Sequence, residues 1–283
     1  MIVTNIISVA FTLFQHPTPY PLHPSSLSPI DLLILAVLFF LTSVVGVVTG
    51  SNSLITVPAM FQFGIDPRIA VATNMFGLTF MAVGGTLPFL GKGTIDKKRL
   101  PALIVVTLLG SVTGALLLLV IPIRALPLVI SASMIAVALF SIMRNAGVIP
   151  AQGPVSQPVD IVAYFLTFAL GVYGGFFSGG YVTMLTAMFV GLFRMTFVEA
   201  VSTTKIVNIF SSLVATIVFM ARGLVDYKLG ILFGLAMFAG AFVGARISLR
   251  LNNVWIRRVF LGTVLLFAIK ILLYDFFWKG MFQ

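Results

Sequence analysis

Gly46-Val-Val-Thr-Gly-Ser-Asn-Ser53 interrupts an otherwise apolar stretch, which continues as Leu54-Ile-Thr-Val-Pro58. A second stretch, Gly171-Val-Tyr-Gly-Gly-Phe-Phe-Ser-Gly-Gly180, interrupts a later apolar segment in a similar way. Inside a bilayer, irregular polar backbone is tolerated only where protein or a water-filled cavity surrounds it. The two interruptions therefore predict a site inside a membrane protein.

The composition around these breaks is that of a multi-pass helical membrane protein. The chain is 60% hydrophobic and 8% charged, whereas soluble proteins carry about 25% charged residues. Its net charge of +10 comes from Lys and Arg spread over short connections, without the basic face of a nucleic-acid binder. We therefore expect the cell (inner) membrane as its location and the lipid bilayer, not nucleic acid, as its partner. The absence of cysteine excludes disulfides and thiolate metal sites.

The apolar blocks divide the chain into two halves. A Pro-rich tail, residues 1–29, precedes them, and its His16 and His23 are expected to be solvated rather than metal-bound. Ser25 or Ser28 can cap the first helix. A linker rich in Pro, Gly and Gln, residues 144–160, separates a first repeat, 30–143, from a second, 161–283. The predicted blocks are 30–63, 70–90, 101–121, 126–143, 161–192, 200–221, 229–249 and 257–277.

The two halves match each other in an ordered series. At an offset of 130, Ala70-Val-Ala-Thr73 falls on Ala200-Val-Ser-Thr203, and Gly110 falls on Gly240. At an offset of 127, Ser51 falls on Ser178. We therefore predict an all-α transmembrane bundle of 8–10 helices in two duplicated halves with broken or re-entrant helices. Eight crossings and an inverted five-plus-five arrangement both fit; the latter places most Lys and Arg on one, cytoplasmic side. The oligomeric state stays open.

Two ordered sets of motifs run through the halves, at residues 50–58, 70–74, 93–96, 203–208, 223–226 and 244–250. Their order resembles the sulfite exporter TauE/SafE family of membrane permeases over about residues 30–275. The resemblance implies transport of sulfite, an organosulfonate or a related small organic anion. Met75 stands where the family often has a Lys, and Lys205 occupies the matching position of the second half.

An anion that enters the bilayer must exchange its hydration water for protein donors. Helix breaks supply free N–H groups at half-helix N-termini, which carry partial positive charge. The alternative is that the glycines only allow close helix packing, which we expect for Gly110-x-x-x-Gly114 and Gly240-x-x-x-Gly244. The candidate substrate-binding residues are Gly50, Ser51, Asn52, Ser53, Thr73, Asn74, Ser178, Gly179, Gly180, Thr203, Thr204, Lys205 and Asn208.

Two groups among these candidates have alternative roles. Thr73, Asn74, Thr203, Thr204 and Asn208 are predicted to begin the helices after the breaks, where they bind ligand, cap the helix or bond to a helix carbonyl. Lys205 lies about five residues into its apolar block. Its ammonium group either attracts the anion or extends to the membrane surface.

The acidic residues all fall near block ends or in loops, so we do not expect a proton relay through a buried carboxylate. An intramembrane enzyme and a membrane scaffold are the competing functions. The chain has no cysteine and no Gly-x-Ser-x-Gly nucleophile motif, and a scaffold needs no duplicated polar breaks. We expect a secondary transporter without catalytic residues, metal or cofactor.

Overall fold

The computed structural model describes residues 27–50, 52–89, 96–126, 129–130, 132–133, 136 and 157–250. No strand occurs in these ranges. Two 3-10 turns, Leu87–Phe89 and Ile123–Ala125, follow long helices. The helices are α1 Pro29–Thr49, α2 Ser53–Gln62, α3 Pro67–Thr86, α4 Leu100–Val120, α5 Gln157–Phe176, α6 Tyr181–Gly191, α7 Phe197–Ala221 and α8 Tyr227–Arg250.

Six of these helices, all except α2 and α6, are long and apolar enough to cross a bilayer. Large apolar side chains such as Leu33, Leu109, Phe165 and Leu235 are exposed on their outer faces, as expected for contact with lipid rather than water. In α3, by contrast, 72% of the apolar span is buried, so this helix lies at the centre of the bundle. The prediction of an all-α multi-pass membrane protein is confirmed.

Both Gly-rich interruptions break a helix. α1 ends at Thr49 and is capped by Gly50, whose φ of 69° is left-handed; α2 starts three residues after this cap, at Ser53. α5 and α6 are separated in the same way by residues 177–180. At 1.5 Å per residue, α2 and α6 are about 15 Å long, roughly half the thickness of the hydrocarbon core. Neither short helix can complete a full crossing by itself.

Helix starts follow from local capping. Ser28 accepts a hydrogen bond from the Asp31 N–H, and Asp31 bonds back to the Ser28 N–H, which confirms Ser28 as the cap of α1. Thr196 and Glu199 form the same reciprocal box at the start of α7. Asp66 caps α3. The predicted blocks at 126–143 and 257–277, the His-containing tail and most of the linker lie wholly or largely outside the described residues.

Glycines let two pairs of long helices approach until backbone touches backbone. A Cβ atom on Gly110 would lie 2.6 Å from the Phe168 carbonyl oxygen of α5, and one on Gly114 would overlap the Val172 carbonyl oxygen. On the other side of the bundle, Gly240 and Gly244 of α8 meet α1 at the carbonyl oxygens of residues 40 and 44. The predicted packing role of both Gly-x-x-x-Gly pairs is confirmed.

Each of these two glycine-lined contacts, called seams below, joins a helix of the first half of the sequence to a helix of the second half. α4 of the first half packs on α5 of the second, and α8 of the second half packs on α1 of the first. Such reciprocal contacts are what two repeats related by an approximate two-fold axis would make. They support the duplication hypothesis, which stays a prediction.

Replacing Gly114 with Ala tests the α4–α5 seam. The added methyl group overlaps the Val172 carbonyl, so we expect a loss of about 1–3 kcal/mol from overpacking, although Ala favours helix more than Gly does. The measurement is thermal unfolding of the detergent-purified protein, with Thr113→Ala on the exposed face of α4 as the control. Equal unfolding temperatures for the two variants would contradict the seam.

Candidate functional site

A cavity lies where the two helix breaks meet. Its water-accessible volume is about 40 Å³, which is room for a small ion or a few water molecules. Both breaks contribute to its wall, and the central helices α3 and α7 close it. The lining residues are Gly46, Val47, Gly50, Asn52, Ser53, Leu78, Met81, Ala82, Gly85, Ser178, Val182, Lys205 and Asn208.

Asn52 brings the first break into the cavity wall. It occupies the cap position of α2, but its side chain makes no cap hydrogen bond. Both amide atoms, Nδ2 and Oδ1, are buried without a hydrogen-bond partner among the described residues. A Cβ atom on Gly46 would lie 3.0 Å from the Asn52 Cβ, so the glycine makes room for this side chain. Asn52 is therefore available to a bound ligand as donor and acceptor.

The second break approaches the first through its own unusual backbone. Ser178 has a φ of 65° and Gly180 a φ of 79°, conformations that cost energy in any residue with a Cβ atom. Ser178 nevertheless lines the cavity. Gly179 does not; a Cβ atom there would lie 2.7 Å from Leu54 of α2, so Gly179 serves the contact between the breaks.

Lys205 supplies the positive charge of the site. It is the ninth residue of α7, about 12 Å along the helix axis from its start. The side chain is 6% exposed, and its Nζ donates a hydrogen bond of 2.5 Å to the Val47 carbonyl oxygen near the end of α1. The ammonium group is thus directed into the bundle, and the alternative of extension to the membrane surface does not describe this structure.

Three helix ends surround the cavity with opposite partial charges. The last carbonyl groups of α1 carry partial negative charge, and Lys205 lies against them. The first N–H groups of α2 and α6 carry partial positive charge, and residues Ser53 and Val182 of these first turns line the cavity. These positive contributions converge on the cavity.

The prediction that Thr73 and Thr203 begin helices is wrong. α3 begins at Pro67 and α7 at Phe197, so both threonines lie in the second turn. Thr73 Oγ1 accepts a hydrogen bond of 3.0 Å from the backbone N–H of Asp226, and Thr203 Oγ1 accepts one of 3.2 Å from that of Asp96. Each hydroxyl therefore fixes the segment before a helix of the other half, and neither lines the cavity.

Asn74, Thr204 and Asn208 also lie inside their helices rather than at the start. Asn74 Nδ2 donates to Ser53 Oγ at 2.9 Å, and Asn74 Oδ1 accepts from Thr56 at 2.7 Å, so this amide holds α2 against α3. Asn208 lines the cavity, and its Oδ1 is buried without a partner in the described structure. Thr204 Oγ1 is also buried without one, away from the cavity wall.

The structure thus brings together six of the predicted residues: Gly50, Asn52, Ser53, Ser178, Lys205 and Asn208. Six others do not line the cavity: Thr73, Asn74, Gly179, Gly180, Thr203 and Thr204. Ser51 lies outside the described residues.

Sequence reasoning missed the contribution of α3 to the cavity wall. Leu78, Met81, Ala82 and Gly85 are apolar or small and carry no polar signal. The repeat could have indicated this contribution, because an offset of 130 pairs Leu78 with Asn208, which was among the predicted site residues. Gly85 is needed for space, since a Cβ atom there would lie 3.8 Å from Lys205 Nζ and would overlap Val47.

Gly50 and Gly223 offer a matched pair for testing the first break. Both have left-handed φ, 69° and 66°, so Ala costs about 1–2 kcal/mol at either position. Only at Gly50 would the new Cβ also lie 2.7 Å from the Thr183 nitrogen and the Val182 Cβ of α6; at Gly223 it meets nothing within 4 Å. We expect Gly50→Ala to lower the unfolding temperature more than Gly223→Ala. Equal losses would show that the breaks do not pack against each other.

Comparison with known proteins agrees with this architecture. The family model "Sulfite exporter TauE/SafE" matches residues 34–271. The "Probable membrane transporter protein ORF9" of Sinorhizobium sp is 30% identical over 246 residues, which cover 84% of this chain and 92% of the relative. The "Probable membrane transporter protein YfcA" of Escherichia coli (strain K12) is 26% identical over 260 residues, 89% of this chain and 94% of the relative.

Another relative, the "Probable membrane transporter protein YdhB" of Bacillus subtilis (strain 168), is 28% identical over 77% of this chain and 90% of its own length. No solved structure matches the chain. The family match extends from α1 through α8, including both helix breaks. The chain belongs to the sulfite exporter TauE/SafE family and is a multi-pass membrane transporter.

Proposed function

We propose that this transporter carries a small oxyanion, with sulfite or an organosulfonate as the substrate class, across the cell (inner) membrane as a secondary permease. The observation that carries the proposal is the cavity between the two breaks, with the Lys205 side chain in its wall. The family description names sulfite export, and the charges of the cavity favour an anion independently of that name.

Three kinds of donor face the cavity, and each suits an oxyanion. The Lys205 ammonium group offers a full positive charge, and the first turns of α2 and α6 offer partial charge and N–H groups. Asn52 Nδ2 adds a neutral donor that has no other partner in the described structure. Together they replace hydration water lost by the anion on entering the bundle.

Lys205 is suited to capture and release. Its ammonium group rests against the Val47 carbonyl, a partial negative charge at the end of α1. An anion with a full charge competes with the Val47 carbonyl for the ammonium group. After the anion is released, the ammonium group can again donate a hydrogen bond to this carbonyl. This exchange keeps the bound anion from being held too tightly.

The membrane potential supplies a driving force for export. Moving one negative charge out of a negative interior gains about 2.3 kcal/mol per 100 mV. Carboxylates among the described residues lie at helix ends or in connections, as in Asp31, Asp66, Asp160 and Glu199. A buried carboxylate relay is therefore not part of the proposal, and the sulfur anion moves down its electrochemical gradient.

Lys205→Gln separates charge from hydrogen bonding. Gln can still donate to the Val47 carbonyl but has no charge, so we expect sulfite flux in proteoliposomes to fall about tenfold or more because a close charge is lost. Lys228→Gln, which removes an exposed Lys at the start of α8, is the matched control and should transport normally. A Lys205→Gln protein that folds and transports sulfite at the parent rate would overturn the proposed site.

Asn52→Asp tests the sign of the ligand's charge. The substitution keeps the size of the side chain and puts a carboxylate in the cavity wall, so an anion should bind about tenfold or more weakly through repulsion. The concentration of sulfite and of sulfoacetate that half-saturates flux is the measurement. Asn52→Gln keeps the amide and serves as the uncharged comparison. An unchanged or lower half-saturating concentration in the Asp variant would contradict an anion site beside Asn52.

A further inference from the structure

A second buried polar cluster lies between α4, α5, α6 and α7, and none of its members lines the cavity. Four hydroxyl side chains form it: Thr107 and Ser111 on α4, Tyr181 at the start of α6, and Ser211 on α7. All four are buried, with at most 2% of each residue exposed. The transport mechanism described above uses none of them.

The oxygen atoms of this hydroxyl cluster converge from separate helices. Ser111 Oγ lies 2.7 Å from Ser211 Oγ and 3.3 Å from the Gly171 carbonyl oxygen of α5. The Tyr181 ring packs on Gly174, where any Cβ atom would lie 2.9 Å from it. The Tyr181 hydroxyl itself lies close to Thr107 and Ser211.

Two of these oxygens are unsatisfied. Neither the Tyr181 hydroxyl nor Thr107 Oγ1 has a hydrogen-bond partner with favourable distance and angle within the described part of the chain. Buried hydroxyl groups without partners destabilise a protein, and native structures rarely contain them without a reason. Converging oxygen atoms of which two lack a partner are what a shared bound ligand would require.

The other half of the molecule shows that packing does not require these hydroxyls. By the repeat offset of 130, the positions paired with Thr107, Ser111 and Ser211 are Met237, Ala241 and Met81, and the offset of 127 pairs Tyr181 with Leu54. All four counterparts are buried and apolar. The hydroxyl cluster therefore occurs on one side of the bundle, where apolar side chains would also fill the space.

The ligand set consists of neutral oxygens only. Hydroxyl and carbonyl oxygens suit hard cations, but a divalent ion in an enclosed site calls for carboxylates, and the cluster contains none. The Gly171 carbonyl lies five residues before the C-terminal end of α5, the end at which the helix dipole is negative. In transporters, the ends of broken helices are where such carbonyls coordinate sodium.

We propose that Thr107, Ser111, Tyr181 and Ser211, together with the Gly171 carbonyl, form a binding site for one sodium ion. Thr107 and Ser111 lie near the middle of α4, and Ser211 lies past the middle of α7, so the ion is held deep in the bundle. Ser211 is six residues, or about 9 Å of helix, beyond Lys205. An anion at Lys205 and a cation at the cluster therefore favour each other's binding electrostatically.

Cation binding is measurable without the transported anion. The purified protein is unfolded thermally in sodium, potassium or choline chloride at equal ionic strength, and the binding of radioactive sodium is measured in parallel. We expect sodium to raise the unfolding temperature in a saturable way, because a ligand that binds only the folded state stabilises it. Choline should have no such effect, and potassium a smaller one.

Variants test whether the hydroxyl cluster causes the stabilisation by sodium. Tyr181→Phe and Thr107→Val each remove one oxygen and keep the shape of the side chain, so sodium affinity should fall about 10-fold or more. Thr113→Val, on the exposed face of the same helix, should retain the parent affinity. If the variants keep it too, or if sodium and choline stabilise equally, the cluster binds water only and the proposal is wrong. These outcomes do not depend on which anion is transported.

Discussion

The contact between the Lys205 ammonium group and the Val47 carbonyl is the constraint around which the bundle is organised. A helix that stops inside a membrane leaves carbonyl groups without partners, and a lysine placed there is costly unless something receives its charge. The lysine donates a hydrogen bond to a carbonyl at the helix end, and the carbonyl stabilises the buried positive charge. The contact also joins α1 to α7, which lie in different halves of the sequence, and so fixes the first break against the central helix that completes the cavity wall.

Glycine serves two distinct purposes in this molecule. In the seams, Gly114 and Gly244 have ordinary helical backbone, and their value lies in the missing Cβ atom. In the breaks, Gly50 and Gly180 have left-handed backbone, and their value lies in conformational freedom. The first kind lets α4 pack closely on α5 and α8 pack closely on α1; the second kind forms the polar backbone at the breaks, which lines the cavity.

The sequence predicted the membrane fold and the positions of both breaks, because long apolar blocks and clustered glycines are local signals. It misplaced the starts of α3 and α7. The true signals, Asp66-Pro67 and Thr196-Phe-Val-Glu199, were present, but these polar residues were assigned to connections between apolar blocks. Six of the thirteen predicted site residues line the cavity. The other lining residues, such as Leu78 and Met81, are apolar and acquire their role only through tertiary packing, which no local pattern in the sequence reports.

The exchange of seams between halves has a consequence for how the protein is made. α1 is synthesised first, but its close partner α8 is the last helix that the structure describes. Until α8 arrives, the carbonyl-lined face of α1 at residues 40 and 44 must be covered by lipid or by the insertion machinery. Contacts between such distant parts of a chain slow folding and leave intermediates exposed. Removal of α8 would therefore leave the packing face of α1 without its partner.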